Sequence, residues 1–360
     1  MNSFFFELLH MALGHRDSFS VAPTMEQWRV LYDMAVRQTL VGVLFPAIER
    51  LPAEQRPPRV LLLQWFATKE QIMKNNKLLN RRAVETIEFF HNEGFDCCIL
   101  KGQGIASLYP NPLLRTSGDI DIWLGRGRKR IYDFARRTVG MKGVTYHHIH
   151  YPLHKDAEVE VHVTPGHLFA PIENAKLQRY FKETAKEQFQ NTINLPDEKG
   201  EICVPTREFN LIYILLHIYG HLFGEGIGLR QVMDYYFILR QPLTEDIRER
   251  TLHRLKELKM LRFARAMMWV QKEVFGLENE YLLIEPDEKE GRFLLSEIMQ
   301  AGNFGKYDAR IDRKNHHKLL PRVWNSIRRK WKFLTHYPNE LVWDIPFRMW
   351  QYCWSRWVKG

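Results

Sequence analysis

Two aspartates one residue apart, Asp119 and Asp121, sit at the head of an apolar run, Ile120, Ile122, Trp123 and Leu124. Side chains alternate faces along a strand, so both carboxylates point one way while Ile120, Ile122 and Leu124 point into a core. Like charges held this close disfavour ionisation unless a cation offsets them. A hard divalent ion, magnesium or manganese, takes carboxylate oxygens and shares its coordination with phosphates. Upstream, an apolar run at 97–100 ends in Lys101-Gly102, so 97–124 reads as two strands around a short glycine-bounded segment. For a D-x-D alone, solvated surface aspartates are the plain alternative, and the surrounding residues decide between the two.

At 360 residues and 45% hydrophobic content the chain is long enough for a folded protein with two or three units. Cys97, Cys98, Cys203 and Cys353 form no C-x-x-C pair, so reduced buried thiols in a reducing compartment are expected. No run approaches a membrane-spanning length, and the start lacks a basic region before its apolar stretch, which points to a cytoplasmic protein. The net charge of +10 is concentrated at the end: 313–360 holds 11 Lys or Arg against 2 Asp or Glu, a net of +9. The pI is therefore no argument for nucleic-acid binding by the whole chain.

Residues 1–93 read as helices, with apolar positions at three- and four-residue spacings and a proline-rich break at 51–58. From 95 the period changes to that of strands, at 95–100, 120–124, 144–151 and 158–163, with a helix over 128–138. The last two strands are spaced as a hairpin. In the final one, Glu158, Glu160 and His162 share a face, opposite Val159, Val161 and Val163. If it neighbours the Asp119 strand, a third carboxylate joins the pair, as a two-metal phosphoryl or nucleotidyl transfer requires. Helical patterns resume from about 205, and His217 and His221 lie one turn apart without the glutamate of H-E-x-x-H. They read as cleft or core residues. The glycine-bounded 302–305 reads as a turn that can approach a ligand.

The cluster His147, His148, His150 and His154 suggests a metal-dependent hydrolase instead. His148 and His150 share one strand face and His147 takes the other, so the cluster does not converge by itself. The tail carries six of the ten tryptophans among its basic residues, which suits an anionic membrane surface. Pro338 and Pro346 argue against one long helix there, and packing on the helical domain is the plain alternative.

The ordered motifs L-K-G at 100–102, Tyr109-Pro110, Arg115, G-D-I-D at 118–121, V-E-V-H at 159–162 and L-R-Q-V-M-D at 229–234 resemble the uncharacterised nucleotidyltransferase family of the DNA polymerase β-like superfamily. The resemblance implies an α+β chain, a small mixed nucleotidyltransferase sheet flanked by N- and C-terminal helical regions. It divides into 1–93, a core at 94–204, a helical domain at 205–312 and the basic tail at 313–360. Asp119, Asp121 and Glu160 would hold Mg2+ or Mn2+ and carry catalysis, with Glu158 able to replace Glu160. Lys101, Gly102, Gln103, Arg115 and Arg230 would face a nucleoside triphosphate. Gln103 stands where the superfamily usually has serine, so Lys101, Gln103 or Arg115 must substitute. Arg115 is equally suited to pairing with Asp119 or Asp121, and Arg230 to a helical pair with Asp234. The implied reaction moves a nucleoside monophosphate to an acceptor hydroxyl on a small molecule, sugar, RNA or protein. A degenerate core kept as a binding or scaffold module, peripheral to the inner membrane face, is the alternative.

Overall fold

The computed structural model describes residues 2–141, 143–196, 200–308 and 330–359. Its spine is the 34-residue helix α4 (Arg59–Asn92), preceded by α1 (Asn2–Ala12), α2 (Met25–Arg37) and α3 (Val41–Arg50). Pro58, held extended, starts α4, and Gly94 at φ +76° lets the chain leave it, with Phe95 N–H bonding back to Phe90. Leu79, Ala83, Ile87 and Phe90 recur on one face of α4 and pack under the sheet.

That sheet has the order β1-β2-β4-β3, from β1 (Cys97–Leu100), β2 (Ile120–Leu124), β3 (His148–His150) and β4 (Val159–His162). β1 runs antiparallel to β2, β2 parallel to β4, and β3 antiparallel to β4. The mixed sheet and its expected hairpin are therefore present. The strand expected over 144–151 is reduced to three residues. Thr145 folds onto His148, with its N–H and hydroxyl both reaching the His148 carbonyl and its Oγ1 accepting the His148 N–H, which makes a turn of the strand's first half.

α5 (Gly102–Ala106) and α6 (Arg128–Thr138) follow β1 and β2. Helix α7 (Pro171–Gln188) and a hairpin of β5 (Thr192–Asn194) and β6 (Glu201–Cys203) have no counterpart in the sequence reading. α7 buries only Leu177, Tyr180 and Phe181 among its apolar side chains, too few for a strong period.

α8 (Arg207–Gly224), α9 (Leu229–Leu239), α10 (Glu245–Glu257), α11 (Leu261–Phe275) and α12 (Glu288–Ala301) complete the helical body. Phe5, Leu8, Trp28 and Leu44 share one core with Tyr235, Phe263, Met267 and Phe275. The two helical regions that flank the sheet in sequence are thus one packed body in space.

The chain ends in α13 (Pro338–Lys359), a single 22-residue helix containing both prolines expected to prevent it. Pro338 occupies the first position, where no N–H partner is required, and Pro346 is accommodated inside. Its inner face docks: buried Glu340 accepts N–H bonds from Phe169 and Ala170, and Phe347 stacks on His167 with centroids 4.8 Å apart. Its outer face leaves Val342, Ile345, Met349 and Tyr352 more than half exposed. The basic residues of 313–329 lie outside the described residues. No described helix is long and apolar enough to cross a membrane.

One buried ion cluster ties the sheet to the helices. Asp234 of α9 accepts from Arg115 Nε (2.7 Å) and Nη2 (2.8 Å), from Tyr109 OH (2.7 Å) and from Arg230 Nη1 (3.1 Å). Asn76 of α4 holds the same segment by donating to the carbonyls of Leu113 and Arg115. Removing one partner strands a charge away from water, so Arg115→Ala should cost about 3–5 kcal/mol of unfolding free energy. Urea denaturation measures this; a loss under about 1 kcal/mol would mean that the pair does not hold the fold.

Candidate active site

The pairing register of the strands builds the site. In the parallel β2–β4 ladder Asp121 stands beside Glu160, and Asp119 lies two residues before Asp121, immediately ahead of β2. β1 ends opposite Asp121 at Leu100, which delivers Lys101 to the same spot. Its Nζ is 2.8 Å from Asp121 Oδ2. On the other side His162 Nε2 is 2.8 Å from Asp121 Oδ1 and 3.8 Å from Glu160 Oε2. Lys101 takes φ +52°, a conformation that costs a non-glycine residue about 1–3 kcal/mol and clusters at functional sites.

Charge in this group is tightly balanced. Burial, then Asp121 and Asp119, push the Glu160 carboxyl up to about 7. Asp119 is raised by Asp121 and by burial. Asp121 is also buried, but Lys101 and His162 outweigh that and hold it below the usual carboxylate range. Burial would lower the Lys101 ammonium, yet the carboxylates keep it above its ordinary value. The three carboxylates therefore favour positive charge at their centre, and carboxylate oxygens fit a hard divalent cation. Asp121, Glu160 and His162 place possible ligand atoms within 4.8 Å of one another.

The group opens into a cleft of about 640 Å³ between the sheet, α8, α9, the 302–305 turn and α13. A family model described as uncharacterised nucleotidyltransferase matches residues 24–276, which takes in the whole sheet and helices α2 to α11. The chain belongs to this family of nucleotidyltransferases. Searches of the curated proteins and of the solved structures returned no match.

The expected residues of this family member sort into two groups. Lys101, Gly102, Asp119, Asp121, Glu160 and His162 all line the cleft. Glu158 is exposed, one residue ahead of the first ladder pair Ile120–Val159, and contributes its carbonyl to Ile120 N–H, so Glu160 is the residue beside Asp121. Gly102 starts α5, as expected, but the helix is only five residues long. Gln103 is corrected: its side chain is 3% exposed, lies outside the cleft lining and has no hydrogen-bond partner.

Arg115 is corrected too. It lines the cleft, but its guanidinium is taken by Asp234 and by Ser117 Oγ, not by Asp119 or Asp121. Arg230 forms its expected pair with Asp234 but does so at the cleft wall. The motif residues Tyr109, Arg115, Arg230 and Asp234 thus act together as one buried ion cluster, with Arg115, Arg230 and Asp234 at the cleft wall. His217 and His221 line the cleft with ring centroids 4.4 Å apart, as expected of cleft residues.

Several lining residues escaped the sequence reading. Thr116 and Ser117 bring hydroxyls to the rim that Gln103 lacks. Phe304, at φ +49°, stands over His221, and Gln231 donates to Asn303, so the glycine-bounded turn does reach the cleft. Phe347, Arg348 and Gln351 of α13 close it from outside the matched range. No local signal in a tail helix marks which face will wall a distant strand.

Glu160 gives this site a pH signature. Its folded carboxyl titrates near 7 and its ordinary value is 4.5, so the native state binds the extra proton between them. Metal-free stability attributable to Glu160 is then present at acid pH and lost as pH rises through 7. Glu160→Gln should accordingly stabilise metal-free protein at pH 8 by on the order of 1 kcal/mol after solvent screening, seen as a higher melting temperature, and have little effect at pH 5. Equal shifts at both pH values in calorimetry would contradict the raised carboxyl.

Proposed function

We propose that the chain transfers a nucleoside monophosphate from a nucleoside triphosphate to an acceptor hydroxyl, releasing pyrophosphate. The single observation that carries this reading is the ladder position of Glu160 beside Asp121, which converges three carboxylates on a cationic centre at the floor of the cleft. Asp119, Asp121 and Glu160 would hold Mg2+ or Mn2+, which when bound neutralises phosphate charge and lowers the pKa of the attacking hydroxyl.

The protein's own groups supply the rest. The acceptor oxygen bonds to the α-phosphorus as the bond to the α–β bridging oxygen breaks in line, and pyrophosphate carries away that electron pair. The hydroxyl proton passes to the carboxylate that stands beside Asp121, a role that falls to Glu160. Lys101, now paired with Asp121, is placed to follow charge onto the phosphate oxygens. The hydroxyls of Thr116 and Ser117 stand at the rim as further phosphate partners. The acceptor enters between α8 and α13, whose side chains shape its pocket.

Incubating the protein with Mg2+ or Mn2+ and each nucleoside triphosphate, and measuring pyrophosphate release, tests the reading. Asp119→Asn and Asp121→Asn should each lower the rate by at least about 100-fold, the upper range for losing a metal-supporting partner; unchanged turnover in either would end the assignment.

A second feature concerns location. The exposed Val342, Ile345, Met349 and Tyr352 lie on one side of α13, flanked by Trp343 and Trp350, in a tail of net charge +9. This combination suits an anionic bilayer surface. The full chain should sediment with vesicles containing anionic lipid, and Ile345→Glu with Met349→Glu should release it. Binding that is absent, or unaltered by these substitutions, would exclude the outer face as the contact.

A further inference from the structure

β3 sets a second group of donors against Glu160. His150 pairs directly with Glu160 in the antiparallel ladder, and His148, two residues away, shares its face. His148 Nδ1 is 3.3 Å from Glu160 Oε2, and His150 Nδ1 is 3.7 Å from Glu160 Oε1. Ligand atoms of all three residues lie within 4.8 Å of one another. Four-coordinate binding with bonds of about 2.0–2.1 Å places ligand atoms roughly 3.3 Å apart, so this spacing needs little adjustment. The histidines did not converge by strand facing alone; Glu160, from the neighbouring strand, supplies the missing member. His154, the fourth histidine of that sequence cluster, is elsewhere, against Thr86 and Glu85.

Two imidazoles and one carboxylate are the ligand set of a borderline transition ion. Magnesium, which demands oxygen ligands in octahedral array, is poorly served by them. We propose that His148, His150 and Glu160 form a second cation site, specific for a zinc-class divalent ion and distinct from the Asp119–Asp121 pair, with Glu160 common to both. His150 is more than half exposed and opens the site to solvent, while His148 is half-buried and fixed by the β3–β4 pairing. His148 Nδ1 also lies 3.1 Å from His147 Nε2, a contact that the ion replaces. Three protein ligands leave one coordination position open. The binding does not rest on the transferase reading. Its consequence does: an ion on Glu160 withholds that carboxylate from the acceptor proton, so zinc inhibits transfer.

The test uses the full-length apoprotein, with Zn2+ affinity measured by competition against a chromophoric chelator and Co2+ binding followed by its visible absorption. Wild type and Asp119→Asn should each take up one equivalent of Zn2+ and develop the Co2+ band. His148→Ala with His150→Ala should weaken Zn2+ at least about tenfold and lose the band. His150→Gln, at the exposed rim, should reproduce the weakening with an unchanged circular dichroism spectrum. The site is overturned if wild type binds no Zn2+, if the histidine variants bind it as wild type does, or if Asp119→Asn loses it equally, which would place the ion on the aspartates. Pyrophosphate release assayed in parallel separates failure of the transferase reading, which leaves the Zn2+ result standing, from failure of this site.

Discussion

Three carboxylates cannot share a partly enclosed spot at neutral pH without a cation among them, and this constraint organises the centre of the molecule. The parallel pairing of β2 with β4 forces Glu160 alongside Asp121. Lys101 answers from the end of β1 and His162 from β4, each 2.8 Å from one oxygen of Asp121. What is left uncompensated falls on Asp119 and Glu160, whose carboxyls are both raised. A protein cation thus holds charge balance among these carboxylates, and the strained backbone at Lys101 is the local cost of bringing it there.

The helices serve this arrangement by fixing the segment between the two strands. Residues 101–119 contain only short helical turns and would wander without outside anchors. Asn76 of α4 and Asp234 of α9 hold that segment from opposite sides, through the carbonyls of Leu113 and Arg115 and through the Arg115 guanidinium. Because α4 also packs under the sheet and α9 belongs to the helical core, the position of the aspartates is set by both bodies together. Cleft shape is then assigned to elements far apart in sequence, α8, the 302–305 turn and α13.

Much of this was legible in the residues. Alternation alone gave Asp119 and Asp121 a common face and paired Glu160 with His162, and a glycine stop marked the entry into β1. Burial of Gln103 was not legible, because a polar side chain next to a phosphate-type glycine gives no hint of its direction. Arg115 was misplaced for a similar reason: its partner Asp234 is more than a hundred residues away, and sequence proximity favoured the aspartates it does not touch. Pro346 within α13 shows propensity overridden by packing, since the inner face of that helix docks through Glu340 and Phe347. Cys97, Cys98 and Cys203 are buried thiols as expected, whereas Cys353 is exposed on α13.

The central claim is that strand register selects Glu160, and not its neighbour on the same strand face, to complete the carboxylate group. Calorimetric titration of Mn2+ into Glu160→Gln and Glu158→Gln measures this most directly, since the two substitutions remove the same charge two residues apart. The account requires Glu160→Gln to weaken Mn2+ by at least about tenfold while Glu158→Gln binds as wild type does. Loss of binding in Glu158→Gln, or none in Glu160→Gln, would contradict it.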